Sequence, residues 1–108
     1  MALVRVGALP DEALAAAAEF HAWVLPAMAE EADGDLILVF PPADFTHRAW
    51  RLAAVQALAR QHAPIRVNAV ASDDEVAIAA ACAYLDTAEG VTGQYLPLDG
   101  AGAGEVIG

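Results

Sequence analysis

Outside its carboxylates, this 108-residue chain has few side chains able to do acid–base, nucleophilic or metal chemistry: three His, one Cys, one Ser and two Tyr. His47 and His62 fall on one predicted helix, fifteen residues apart, or about 22 Å along its axis. They cannot share a metal within one chain. Asp44 with either of them is too small a ligand set for a centre. No metal is expected, and the histidines read as solvated or capping groups. Cys82 sits in Ala80-Ala81-Cys82-Ala83-Tyr84, an apolar helical face with no nearby His, and reads as a core thiol rather than a nucleophile. Ser72 stands in Ala71-Ser72-Asp73-Asp74, not in a Gly-x-Ser-x-Gly elbow. Lys is absent altogether, which closes Schiff-base chemistry and the Walker-type phosphate loop. Arg48, Arg51 and Arg60 share the helix of His47. Against an acidic chain they read as charge balance, since exposed Arg is the common case.

The elements that would position these groups follow from hydrophobic runs and breakers. Residues 3–6 form a short apolar run ending at Gly7, a predicted strand. Pro10-Asp11-Glu12 opens an Ala-rich helix reaching about residue 32, bent at Pro26 and ended by Gly34. Asp35-Leu36-Ile37-Leu38-Val39-Phe40 is a nearly continuous apolar run, as suits a strand buried on both faces. Asp44 N-caps a second helix over residues 45–62, and Pro64 closes it. Residues 65–70 alternate as a strand. Ser72 or Asp73 caps a third helix over 75–85, and residues 94–98 make a last strand. The Gly-rich tail from Asp99, with its Gly100-Ala101-Gly102-Ala103-Gly104 run, reads as a loose end rather than a nucleotide loop, because no helix signal follows it. This order predicts an α/β domain, a partial Rossmann-like three-layer fold with about four parallel strands, three helices and right-handed crossovers.

Size and charge narrow the function classes. The length allows one domain, residues 1–108, able to bury roughly 65% of its unfolded surface. Fifteen Asp plus Glu against five Arg give a formal net charge of −10 and a pI near 4.3. Nonspecific nucleic-acid binding and attachment to an anionic membrane are both disfavoured. No apolar run approaches the roughly 20 residues of a membrane span, and the N-terminus lacks a signal-peptide block. A lone Cys points to the cytoplasm.

The second half of the chain resembles the short-chain dehydrogenase/reductase family. Ala63-Pro64-Ile65-Arg66-Val67-Asn68-Ala69-Val70-Ala71 is similar to the family's sixth strand. Val91-Thr92-Gly93-Gln94-Tyr95-Leu96-Pro97-Leu98-Asp99-Gly100 is similar to its final strand. More loosely, Val24-Leu25-Pro26-Ala27-Met28 and Gly34-Asp35-Leu36-Ile37-Leu38-Val39 resemble its fifth helix and strand. The departures matter as much. The family's catalytic Ser would follow the strand ending at Phe40, where Pro41-Pro42 stand. Its Tyr and Lys would fall near Pro42 and Thr46, or with a shift of two at Asp44 and Arg48, and no Tyr or Lys is present there. Tyr84 and Tyr95 belong to the third helix and the last strand, which the resemblance puts far from that position. Neither Asp44 nor Arg48 supplies an acid matched to neutral pH. The Gly-rich cofactor turn belongs to an N-terminal half not found in this sequence.

What the resemblance implies is a truncated, catalytically inactive domain with no catalytic residue and no cofactor, acting as an oligomeric structural or regulatory protein. Its expected partners are a second copy, as homodimer or homotetramer, or a full-length short-chain dehydrogenase. Phe20, Trp23 and Trp50 are the expected interface anchors, because the family pairs these two helices across subunits and aromatic anchors are enriched at interfaces. The alternative is a small-ligand or nucleotide-binding protein, or an NAD(P)-linked oxidoreductase subunit, with a repurposed pocket beyond the carboxyl ends of the strands. Phe40, Pro41, Pro42, Ser72 and Asp73 would line that pocket, beside Gly7, Ala8 and Ala71.

Overall fold

The computed structural model describes residues 2–29 and 34–98, the side chains of residues 28 and 29 excepted. Four strands, β1 (Ala2–Arg5), β2 (Leu36–Phe40), β3 (Val67–Ala71) and β4 (Tyr95–Pro97), form one sheet in the order β1-β2-β3-β4. Every neighbouring pair is parallel, with Ala2 opposite Leu36, Leu36 opposite Val67 and Ala69 opposite Tyr95. All five residues of β2 and all five of β3 are buried. Both strands therefore have a helix layer on each side, which is why β2 carries apolar residues continuously rather than in alternation.

The helix expected after Pro10 is one rod with a wide turn in it. Regular α1 (Ala13–Glu19) gives way to a π turn over Phe20–Val24 and then to α2 (Leu25–Ala29). Pro26 lacks an N–H and its ring crowds the carbonyl of Ala22, and the wide turn accommodates both. Leu25 accordingly bonds back to Phe20, five residues away. Glu12 is the N-cap, its carboxylate accepting from the N–H groups of Leu14 and Ala15. The expected end of this helix near residue 32 and the tail from Asp99 lie outside the described residues.

Asp44 caps a single 3-10 turn, Phe45–His47, which leads into α3 (Arg48–His62). The next cap differs from expectation. Asp74, not Ser72 or Asp73, caps α4 (Glu75–Thr87), while Ser72 Oγ accepts from the Asp74 N–H one step earlier. Two consecutive side-chain turns thus settle the entry of α4, and the cap falls one residue later.

Strand alternation sorts the core into two layers. Leu36, Leu38, Phe40, Val67, Ala69 and Ala71 meet Phe20 of the π turn and Val55 and Leu58 of α3 on one face. Ile37, Val39 and Val70 meet Ile78, Ala81 and Leu85 of α4 on the other. All three crossovers step the same way across the sheet, and moving a crossover helix to the opposite face reverses its hand. The β3–α4–β4 connection therefore has the opposite hand to the first two, which corrects the expectation of uniformly right-handed crossovers. The reason lies in burial: without α4 on that face, Ile37, Val39 and Val70 would be open to water. Even so, Leu3 and Arg5 of β1 remain exposed on this face, where Arg5 pairs with Glu75 at the start of α4.

Candidate functional site

Two cavities open at the carboxyl ends of the strands, one on each face of the sheet. The first, of about 280 Å³, is lined by Phe40, Pro41, Pro42, Ser72 and Asp73 together with Arg5 and Glu75. The structure thus brings the five sequence-derived pocket residues to one place. Their polar chemistry is largely engaged in holding the fold. Ser72 Oγ accepts from Asp74, the Ser72 N–H donates to Phe40 O at 3.1 Å, and the Phe40 ring belongs to the opposite layer. Arg5 closes one side with a two-pronged pair to Glu75 at 2.8 and 2.9 Å, and that contact raises its pKa further.

The second cavity, of about 430 Å³, lies on the α3 face between residues 8–11 after β1 and residues 41–44 after β2. Its polar lining includes Asp11, Asp44, His47 and Arg51. The sequence predicts Arg51 as a surface cation and His47 as a solvated or capping histidine. Both are buried, Arg51 at 1% exposure and His47 at 5%. Arg51 Nη1 donates to Pro41 O at 2.9 Å and to the Tyr95 hydroxyl at 3.1 Å. Its guanidinium carbon lies 4.5 Å from the Phe40 ring centre, and the Trp50 and Tyr95 rings are within about 6 Å. Tyr95, expected far from this end of α3, in fact reaches it from β4.

His47 is positioned as tightly. Trp50 Nε1–H, which can only donate, points at His47 Nδ1 over 3.1 Å. The proton of the ring is therefore on Nε2, which donates to Asp11 O at 2.8 Å. This contact ties the β1–α1 connection to the start of α3. Asp44 accepts from the N–H and the hydroxyl of Thr46, and these bonds hold its carboxyl below the usual carboxylate range, the hydroxyl contributing most. The signal that could have found this site was spacing. His47, Trp50 and Arg51 lie at i, i+3 and i+4 and so share the side of the helix that faces the core.

The three expected interface aromatics are placed differently from one another. Phe20 is wholly buried, packed against Phe40 and Trp50 with ring centres 5.4 and 5.5 Å away. Trp50 is half-buried against the same cluster, and Trp23 is 75% exposed. A further apolar groove of about 540 Å³ runs between α4 and β4, lined by Ala81, Tyr84, Val91, Leu96 and Leu98 among others. Cys82 packs at the edge of the α4 layer, and burial raises its thiol pKa, slightly opposed by the charge of Arg5. Among the described residues, no three His, Cys, Asp or Glu side chains gather as a metal site, and no helix is long and apolar enough to cross a membrane.

Comparison with curated proteins and with solved structures returns no match. A family model described as short chain dehydrogenase-like protein matches residues 4–98 of the chain.

Proposed function

This chain belongs to the short chain dehydrogenase-like family, and we propose that it is a non-catalytic member acting as an oligomeric structural or regulatory protein in the cytoplasm. The observation that carries this reading is the residue set where the resemblance puts the family's chemistry. Pro41-Pro42 and Asp44 follow β2, and Arg48 opens α3. None can protonate a carbonyl oxygen at neutral pH, and no Lys exists anywhere in the sequence to tune or replace such an acid. The buried His47 has both ring nitrogens engaged by Trp50 and Asp11, so it is poorly placed to act as a proton donor.

Surface character supports assembly. Trp23, Phe45 and Tyr84 expose large rings, and the groove between α4 and β4 is mostly apolar. The proposed partner is a second copy, as homodimer or homotetramer, or a full-length short-chain dehydrogenase. Phe20 has no surface to offer a partner, so Trp23 is the anchor on the α1–α3 side.

Light scattering on a sizing column, paired with an NAD(P)H oxidation assay over a panel of carbonyl compounds, tests the proposal. The expected result is a discrete dimer or tetramer without reductase activity, whose mass falls in Trp23→Ala or in Tyr84→Ala. A defined complex formed on mixing with a full-length relative supports the proposal equally. Sustained NAD(P)H-dependent turnover, or a monomer that captures no relative, overturns it.

A further inference from the structure

His47 is a buried titratable group held at both ring nitrogens, and its two partners differ in what they tolerate. Only 5% of it is exposed. Nε2 meets a carbonyl, Asp11 O at 2.8 Å, and Nδ1 meets the indole N–H of Trp50 at 3.1 Å. A carbonyl accepts from the ring whether the ring carries one proton or two. The indole nitrogen has a hydrogen to give and no lone pair to offer. A second proton, which goes to Nδ1, therefore strengthens the contact with Asp11 and leaves two donors facing each other at the contact with Trp50.

One of the two rings must give way, and the packing decides which. His47 is tied to the residue 8–11 connection by the bond that its charge strengthens. Trp50 is only half-buried, and its N–H has no second acceptor among the described residues. Ring contacts with Phe20 and Phe40, centres 5.5 and 5.8 Å away, are what otherwise hold the indole in place. The charged groups on the elements around the His47 ring are Asp11 and Glu12 before α1, Asp44 at the cap, and Arg48 and Arg51 on α3. The Asp44 carboxylate attracts a charged ring. Arg51, buried four residues along the same helix, repels it. These opposed charges set where the titration falls, and the Trp50 contact sets what it does.

We infer that His47 and Trp50 form an acid-sensitive switch: a second proton on the His47 ring turns the Trp50 indole out of its bond and toward solvent, while the bond to Asp11 stays closed. Histidine is the side chain whose charge changes between about pH 5 and about pH 8, so the device answers to mild acid. The two-state element is the indole side chain, and the change that biases it is one added N–H on its acceptor. In its packed position the indole lies against Arg51 as well as Phe20 and Phe40. Its release loosens the aromatic layer between the π turn and α3 and leaves the sheet intact. The inference does not depend on whether the chain is catalytic or how it assembles.

The test is an acid titration of the full chain followed by nitrogen–proton NMR, from about pH 8 to about pH 5, a span that crosses the ordinary histidine range and stays above the carboxylate range. As the His47 ring takes up its second proton, the Trp50 Nε1–H resonance should move with the same midpoint. Its exchange with water, measured against that of the exposed Trp23 in the same sample, should quicken about tenfold, as the loss of one hydrogen bond requires. The His47 Nε2–H resonance should stay protected, and far-UV circular dichroism should not change. In His47→Gln, which keeps a donor for Asp11 O and cannot titrate, the Trp50 step should vanish. Should that variant fail to fold, the wild-type resonances still decide. A Trp50 resonance indifferent to His47 protonation, no second proton on His47 above about pH 5, a Trp50 step that persists in folded His47→Gln, or loss of secondary structure in the same step each overturns the inference.

Discussion

Arg66 grips Asp35 with its backbone and its side chain at once. Its N–H donates to Oδ1 at 2.9 Å, Nε to Oδ2 at 2.9 Å, and Nη2 lies 2.8 Å from Oδ2. From the other end of the same guanidinium, Nη1 donates to the carbonyls of Leu85 and Ala88 at 3.0 and 2.6 Å, where α4 ends. One side chain thus joins the entry of β2, the entry of β3 and the C-terminus of α4, where a cation also complements the helix dipole.

Replacing it should therefore cost more than an ordinary ion pair. Arg66→Met is expected to lower unfolding free energy by about 2–3 kcal/mol, because two carbonyls and a half-buried carboxylate lose their donor together. Arg5→Met, which breaks only the exposed pair to Glu75, should leave the urea midpoint close to wild type. Equal losses in the two variants would show that Arg66 is no more than a surface partner.

The same contact sets an acid limit. The Arg66 N–H, then its side chain and charge, hold Asp35 below the ordinary carboxylate range. A carboxyl whose folded pKa is lowered contributes stability above its unfolded value, near 4, and that contribution is lost as pH falls through the folded value. Urea midpoints should decline below about pH 4, and Asp35→Asn should flatten that decline while lowering stability at neutral pH. An acid limb unchanged in the variant would place the proton uptake elsewhere.

Gly93 turns the chain from the loop into β4 with φ at +74°, a conformation that disfavours a side chain. A Cβ there would find room, its nearest neighbour being Ala59 Cβ at 3.7 Å. The cost of Gly93→Ala is therefore conformational, about 1–2 kcal/mol, and Gly90→Ala in the same loop, where nothing lies within 4 Å, should be near neutral. Thermal unfolding of the two variants compares them directly, and matching midpoints would contradict the backbone argument.

Cys82 should react slowly. Burial raises its thiol pKa and so lowers the thiolate fraction, and the thiolate is the nucleophile. Iodoacetamide labelling at pH 7 is expected to lag well behind that of the urea-unfolded chain; equal rates would mean that the α4 layer opens readily.

The α/β class, the strand order along the chain and the parallel sheet were legible in the sequence because burial on two faces writes a continuous apolar run, as in residues 36–40, and because Gly and Pro punctuate each connection. Asp44 as a cap was legible for the same local reason: its bonds reach only two residues ahead. The five residues Phe40, Pro41, Pro42, Ser72 and Asp73 could be grouped from the sequence because they end neighbouring parallel strands. What the sequence by itself left open was which face of the sheet each helix covers and what the fold packs around each side chain. The face chosen by α4 is one, since either side of the sheet would accept an apolar helix until the other helices have taken theirs. Arg51 is the other. Its neighbours in sequence are those of a surface cation, and only the convergence of Pro41 with the rings of Phe40, Trp50 and Tyr95, from β2, α3 and β4, turns it into a buried one. Charge and size are local properties, whereas desolvation is decided by whatever the fold packs around them.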